Sequence, residues 1–322
     1  LLIAQGAHAS GVPYVFSCQG CSPMEETAQA MAGTPFWYQL YWSTDEELVD
    51  SMIGRAEAAG AQALVVTLDT TMLGWRTQDL DLGSLPFARG QGIAQYTSDP
   101  RFMQLVRERL ADTARAAQSL GIDPRKPLRA ARAAKGGVGT LLSMSREHPG
   151  GVRDNLRSPE PRAAVETFLD IYSNPALSWE HIATLRERTR LPVVLKGILH
   201  EDDARRAFDA GVDAVVISNH GGRQVDRSIA ALDALVRVRD AVGPEPTVLM
   251  DSGVRSGADL FVALALGADA CLLGRPHVYG LAIDGAAGVS AVIDNVLAEL
   301  DLTMGLVGAA TIADVTRELL VE

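Results

Sequence analysis

Ala214-Val215-Val216-Ile217-Ser218-Asn219-His220-Gly221-Gly222-Arg223-Gln224-Val225-Asp226 joins a short apolar run to a polar cluster. The four apolar residues have the length and β-branched content of a buried parallel strand. The polar residues then stand at that strand's C-terminal end, where α/β barrels carry their chemistry. A histidine accepts a proton near neutral pH, an arginine three residues on can take a carboxylate through two parallel hydrogen bonds, and the glycines between them let a ligand or the backbone come close. Taken alone, the same residues also describe a polar loop with a surface histidine. The other strand ends decide between these readings.

Working outward, the same strand-then-helix rhythm recurs. Upstream, Val12 to Ser17, Pro35 to Tyr41 and Ala63 to Asp69 read as strands. The first is followed by Ser22-Pro23-Met24-Glu25, read as a capping box with proline at the first helical position, and the second by Thr44-Asp45-Glu46-Glu47, which caps a helix ending near Gly60. After a helix from about Ser178, Pro192 to Gly197 is a strand, followed by a helix from Asp202 to Ala210. A helix from Ile229 to Val242 leads to the strand Thr247 to Asp251, Ser256 caps the next helix, and Ala270 to Gly274 is the last strand. That makes seven strands, nearly all followed by a helix. A parallel barrel closes with eight. The chain opens on Leu1-Leu2-Ile3-Ala4, which reads as the end of a helix, so the expectation is a TIM (β/α)8 barrel whose first strand and loop lie upstream of Leu1. An open doubly wound sheet would need a glycine-rich turn after its first strand, and none stands there.

One segment breaks the rhythm: residues 70–177 lie where a simple barrel loop has about two to six residues. Ala111 to Leu120 is helical by composition; residues 123–161 are left without assigned structure. The expectation is a single barrel domain over 1–322 carrying 70–177 as an inserted lid or oligomer contact.

The composition narrows the function classes. The chain has 322 residues, 47% of them hydrophobic, enough for one large core. A net charge of −11 with no Lys/Arg-rich block argues against nucleic acid. Apolar runs stop short of the roughly 18 residues that span a bilayer, and no signal-peptide pattern appears, which reads as a cytoplasmic protein without a membrane partner. Cys18, Cys21 and Cys271 are too few and too odd in number for a disulfide framework, and Cys18-x-x-Cys21 lacks a second pair at zinc spacing, so no metal is expected.

Each strand end presents hydrogen-bonding or charged groups: Ser17; Gln39 and Tyr41; Thr67 and Asp69, with Arg76 in the following loop; Lys196; Ser218, His220 and Arg223; Asp251, Gly253 and Arg255; Gly274 and Arg275. Buried unpaired, each would cost about 1–3 kcal/mol, so packing does not explain the set. Small residues and arginines on the two final loops suit a phosphate. Gln39, Thr67 and Lys196 suit the polar edge of an electron-accepting ring.

At this point the residues resemble a known family. Ser218 to Asp226, Leu195-Lys196-Gly197, Asp251-Ser252-Gly253-Val254-Arg255-Ser256-Gly257-Ala258-Asp259, Leu264-Ala265-Leu266-Gly267-Ala268 with Gly274-Arg275-Pro276, Gln39-Leu40-Tyr41 and Thr67-Leu68-Asp69-Thr70 resemble the FMN-dependent α-hydroxy-acid oxidase and dehydrogenase family. Pro86-Phe87-Ala88-Arg89-Gly90-Gln91-Gly92-Ile93-Ala94 and Leu302-Thr303-Met304-Gly305-Leu306 look most like its lactate 2-monooxygenase branch. The resemblance implies FMN as cofactor, a lactate-like 2-hydroxy acid and dioxygen as substrates, and a homotetramer or larger assembly. It implies that His220 is the active-site base, Asp69 its partner, Arg76 and Arg223 the carboxylate clamp, and Tyr41 a contact to the substrate oxygen. Lys196 would offset charge on the reduced ring; Ser17, Gln39, Thr67 and Ser218 would bind the ring or its tail. Asp251 would reach the ribityl chain, and Gly253, Arg255, Gly274 and Arg275 the phosphate. Gln19 and Trp75 stand where family members differ in the residues around the substrate, so they leave its side chain open. Two further readings are another flavin or phosphate-binding barrel, such as an isomerase or nucleotide dehydrogenase, and a non-catalytic barrel serving as a binding or assembly module.

Overall fold

The computed structural model describes residues 1–83, 85–119 and 137–321. Seven strands form one sheet: β1 (Tyr14–Ser17), β2 (Phe36–Tyr41), β3 (Leu64–Thr67), β4 (Val193–Ile198), β5 (Ala214–Ile217), β6 (Thr247–Met250) and β7 (Ala270–Cys271). Each pairs in parallel with the next in sequence. The sheet curls, because the elements flanking its two ends meet: the Leu2–Ala9 helix before β1 packs on the Arg275–Val307 helix after β7. A Cβ added at Gly6 would lie 2.6 Å from the Val289 side chain, so the close approach requires glycine there. β1 and β7 are not paired to each other. Ile3, Val12, Tyr14, Val289 and Val296 line the space beside this seam, the place of the eighth strand of a full barrel.

Strand periodicity sets which side chains face inward. Ala63, Val65, Val194, Ala214, Val216 and Leu249, with Val15, Trp37 and Leu272 against them, fill the barrel interior. The intervening Leu64, Val66, Leu195, Val215, Ile217, Val248 and Met250 join the larger core beneath the helices. Stepping by two along the inner series reaches Ser17, Gln39, Tyr41, Thr67, Asp69, Lys196, Ser218 and Asp251. The polar strand ends are therefore continuations of the interior face.

Helix starts follow local chemistry in two of the three cases read from sequence. The Asp45 carboxylate accepts the Leu48 N–H at 2.8 Å and starts the Glu46–Ala58 helix, and Ser256 and Asp259 form a reciprocal box at the Gly257–Ala265 helix. The box expected at Ser22 does not form: Pro23, with an extended ψ of 149°, is itself the residue before Met24–Ala30, so the helix starts one position later and leaves Ser22 outside it.

Within 70–177 the chain forms short helices at Thr77–Asp81 and Ala94–Thr97, then Pro100–Ser119, Gly137–Glu147, Val152–Asn155 and Glu160–Ile171. The part of 123–161 from residue 137 onward is thus largely helical, and 123–136 lies outside the described residues. Phe168 organises this segment, with ring centroids 5.0 Å from Phe87, 4.8 Å from Tyr96 and 4.9 Å from Tyr172. Gln95 donates to the Ser17 carbonyl at 2.9 Å and fastens the segment to the end of β1.

The Arg275–Val307 helix holds an 18-residue window of mean hydropathy 1.5, enough by length and composition alone to cross a membrane. Counting uninterrupted apolar runs overlooks it because the window tolerates isolated charges. The helix breaks at Asp284 and Gly285.

Candidate active site

His220 follows β5 at a backbone φ of +56°, an uncommon conformation for a residue with a Cβ. The loop holds it there: the Ser218 hydroxyl accepts the His220 N–H at 3.1 Å, the Ser252 hydroxyl accepts the Gly221 N–H at 3.0 Å, and the Asn219 side chain accepts the Gly222 N–H at 3.0 Å. Its Nδ1 lies 2.9 Å from Asp69 Oδ1, and Thr70 donates its hydroxyl to the same oxygen at 3.1 Å. Asp69 reaches this position because Gly197, at φ +104° beside the register shift in β4, has no side chain; a Cβ there would sit 2.9 Å from that of Asp69. Burial pushes the Asp69 pKa up, but the His220 hydrogen bond and the Lys196 charge outweigh it and hold the carboxyl below its usual range. An ionised Asp69 keeps the proton on Nδ1 and leaves Nε2 as the basic atom. Nε2 has no protein partner among the described residues, and His220 lines a cavity of about 670 Å³.

Tyr41, Arg76 and Arg223 lie within electrostatic reach of one another, and Tyr41 within reach of Asp69. Tyr41 is buried, and burial, reinforced by Cys18 and Asp69 and opposed by Arg76 and Arg223, raises its pKa, so the phenol stays protonated and can donate. Arg76 loses some affinity for its proton, first through burial and then through repulsion from Arg223. One half-exposed carboxylate, Asp79, lies 4.0 Å from Arg76 and 3.5 Å from Arg223. Two guanidiniums near one acidic side chain leave a local positive excess suited to an anion.

The strand ends nearer the seam carry the remaining groups. Gln39 donates to the Thr67 hydroxyl at 2.7 Å. Lys196 is buried; its ammonium donates to the Ser218 hydroxyl at 2.8 Å and lies 3.1 Å from Asp251 Oδ2. Ser218 is fully buried and supports both Lys196 and His220. Ser17 receives the Gln19 N–H at 3.0 Å. Gly253 has φ +100°, and Gly274 precedes the Arg275–Val307 helix. Arg275 donates to the Gly221 carbonyl at 3.0 Å, and neither it nor Arg255 has a carboxylate partner among the described residues. Two unneutralised arginines beside a helix N-terminus fit a phosphate. Lys196 and the Gln39–Thr67 pair, inside the same barrel mouth, fit the polar edge of a flavin ring.

Gln39, Tyr41, Lys196, His220, Arg223, Asp251, Gly253, Arg255, Gly274 and Arg275 line the cavity; Ser17, Thr67, Asp69, Arg76 and Ser218 are not part of its wall but bond to, or lie beside, residues that are. Sequence reasoning missed Thr70, Ser252, Asp79 and Gln224, which hold these groups in place. Of these, Asp79 alone lies outside every motif that carries the family resemblance. The two cysteines spaced as a redox pair are both free: Cys18 is buried and accepts the Tyr41 N–H at 3.3 Å, and Cys21 is exposed.

The chain matches the model of the FMN-dependent dehydrogenase family over residues 1–322. It is 40% identical over 316 residues to the FMN-dependent alpha-hydroxy acid dehydrogenase qulF of Penicillium citrinum, covering 98% of this chain and 68% of that protein. It is 36% identical over 312 residues to the L-lactate oxidase of Lysinibacillus sphaericus, covering 97% and 68%. The solved structure of mandelate oxidase with (S)-2-phenylpropionate superposes with a TM-score of 0.69 at 31% identity, covering 98% of this chain and 71% of that one. The family model over the whole chain and these relatives show that the chain belongs to the FMN-dependent α-hydroxy-acid oxidase and dehydrogenase family, and FMN is its cofactor.

Proposed function

We propose that this enzyme converts a lactate-sized L-2-hydroxy acid and dioxygen to the acid one carbon shorter, carbon dioxide and water, as a lactate 2-monooxygenase does. The observation that carries the hydroxy-acid reading is the 2.9 Å His220–Asp69 pair beside Arg76 and Arg223. The arginines grip the substrate carboxylate, Tyr41 donates to an oxygen of the substrate, and Nε2 of His220 takes the proton as the α-carbon is oxidised. Asp69 stabilises the imidazolium that results. FMN, when bound, takes up the electron pair and passes it to dioxygen. Lys196 would set a positive charge against the ring, Ser17, Gln39, Thr67, Ser218 and Asp251 would hold the ring and its tail, and Gly253, Arg255, Gly274 and Arg275 would hold the phosphate.

The choice of monooxygenase rests on the resemblance of residues 86–94 and 302–306 to that branch and on the clamp, which would hold a 2-oxo acid by the same carboxylate. In this reading 70–177 is the lid, and the enzyme is a cytoplasmic homotetramer or larger. Oxidase or dehydrogenase chemistry, releasing the 2-oxo acid, is favoured by the likeness to L-lactate oxidase. Aerobic turnover of lactate separates the two: acetate with little peroxide is the expected product, and pyruvate with stoichiometric hydrogen peroxide would overturn the monooxygenase reading.

A further inference from the structure

The loop from Asp69 to Arg76 carries both the partner of the base and one arm of the clamp, yet it contains no helix or strand up to Thr77. One side chain from the far side of the sequence stitches it together. The Gln224 side-chain oxygen Oε1 accepts from Arg76 Nε at 3.1 Å and from Arg76 Nη2. Its amide nitrogen donates to the Asp69 carbonyl at 3.0 Å and to the Met72 carbonyl at 3.1 Å. Gly74 packs on the Gln224 backbone, where an added Cβ would lie 2.5 Å from the Gln224 carbonyl oxygen.

We propose that Gln224 is a positioning residue that presents the Arg76 guanidinium to the substrate carboxylate and fixes it relative to Asp69. The proposal rests on the reading of Arg76 as a carboxylate clamp. Arginine carries many rotamers, and a clamp works only if few of them are populated before the substrate arrives. Gln224 takes the Nε–Nη2 edge and leaves Nη1 for an incoming anion; Asp79 is the nearest acidic group to it, at 4.0 Å. Glutamine suits both tasks: it accepts from a cation without cancelling its charge, and it donates to two carbonyls. Glutamate would neutralise the guanidinium and lose both donations; leucine would keep the bulk and lose every hydrogen bond.

The test uses the FMN-loaded enzyme and oxalate, a carboxylate that is not oxidised at an α-carbon. Oxalate affinity is titrated by calorimetry, and kcat and KM for lactate are measured, in Gln224→Leu, Arg76→Ala and the double variant. Gln224→Leu is expected to weaken oxalate and raise KM by about tenfold, with a smaller change in kcat and unchanged flavin content, and to add nothing further on the Arg76→Ala background, because residues acting as one unit are non-additive. Unchanged oxalate affinity in Gln224→Leu overturns the proposal. So does an equal loss with and without Arg76, which would mark Gln224 as a stitch for the loop alone. If Arg76→Ala itself leaves oxalate binding intact, the clamp reading of Arg76 fails, and the positioning role falls with it. Should Gln224→Leu not fold, Gln224→Met, closer to glutamine in length and equally without its hydrogen bonds or any charge, carries the same cycle with the same expectations.

Discussion

At the scale of single residues, the proposed reaction divides one task between the imidazole of His220 and the carboxylate of Asp69. In that proposal the first would meet the proton, and the second, held ionised by its hydrogen bond and by Lys196, would fix the tautomer and balance the charge. His220→Ala should retain FMN but lose anaerobic flavin reduction by lactate; Asp69→Asn should slow that reduction by on the order of 10²-fold or more. Stopped-flow absorbance reads both, and near-normal reduction in His220→Ala would remove it from the role of base. The strand-end residues are legible in the amino-acid sequence because their types and their period of two agree. The 151-residue separation between His220 and Asp69 hides their contact until the barrel is built. Gln224 is visible as a letter in the motif but not as a tie, since an amide in a loop has no signature until its partners are known.

Among elements, the Glu46–Ala58 helix shows how local chemistry fixes a start and how that start responds to pH. The Arg101 hydrogen bonds hold the Asp45 carboxyl below the usual carboxylate range, against a smaller effect of burial. Its folded pKa therefore lies below its unfolded one, so its stabilisation is complete above the unfolded value and is lost as pH falls through the folded value. Asp45→Ala should cost about 1 kcal/mol in urea unfolding at neutral pH, and the gap between wild type and variant should narrow below about pH 4. A gap unchanged at low pH would assign the effect to something other than the charged cap. Ser22, by contrast, carries the letters of a cap but not its geometry, because Pro23 takes the boundary position itself. The Glu160–Ile171 helix escapes a sequence reading because Phe168 packs on Phe87 and Tyr96, partners distant in sequence.

For the molecule as a whole, the alternation of strand and helix announces the barrel, and the pairing of each strand with its successor bears it out. What no local pattern contains is the meeting of the first and last helices, which depends on Gly6 facing Val289. The cavity at the strand ends reaches from the His220 loop to the seam between β1 and β7, so residues from both ends of the sheet order share one wall. Ligand that binds only the folded state stabilises it by mass action, about 2.7 kcal/mol at a hundred times Kd. Thermal unfolding followed across an FMN titration should show a midpoint that climbs with FMN concentration. The climb should shrink in the Arg255→Ala, Arg275→Ala double variant; an undiminished climb would place the phosphate elsewhere.

The positive φ at His220 has a bearing on how this sequence can change. Glycine or asparagine at that position would relax the backbone, where a histidine stores strain on the order of 1 kcal/mol. Either replacement would also remove the partner of the Asp69 carboxylate, so the strain relieved in the backbone is set against a hydrogen bond lost at a largely buried acid. The identity of residue 220 is thereby fixed by the balance of the two, and backbone comfort alone does not predict which substitutions the barrel tolerates.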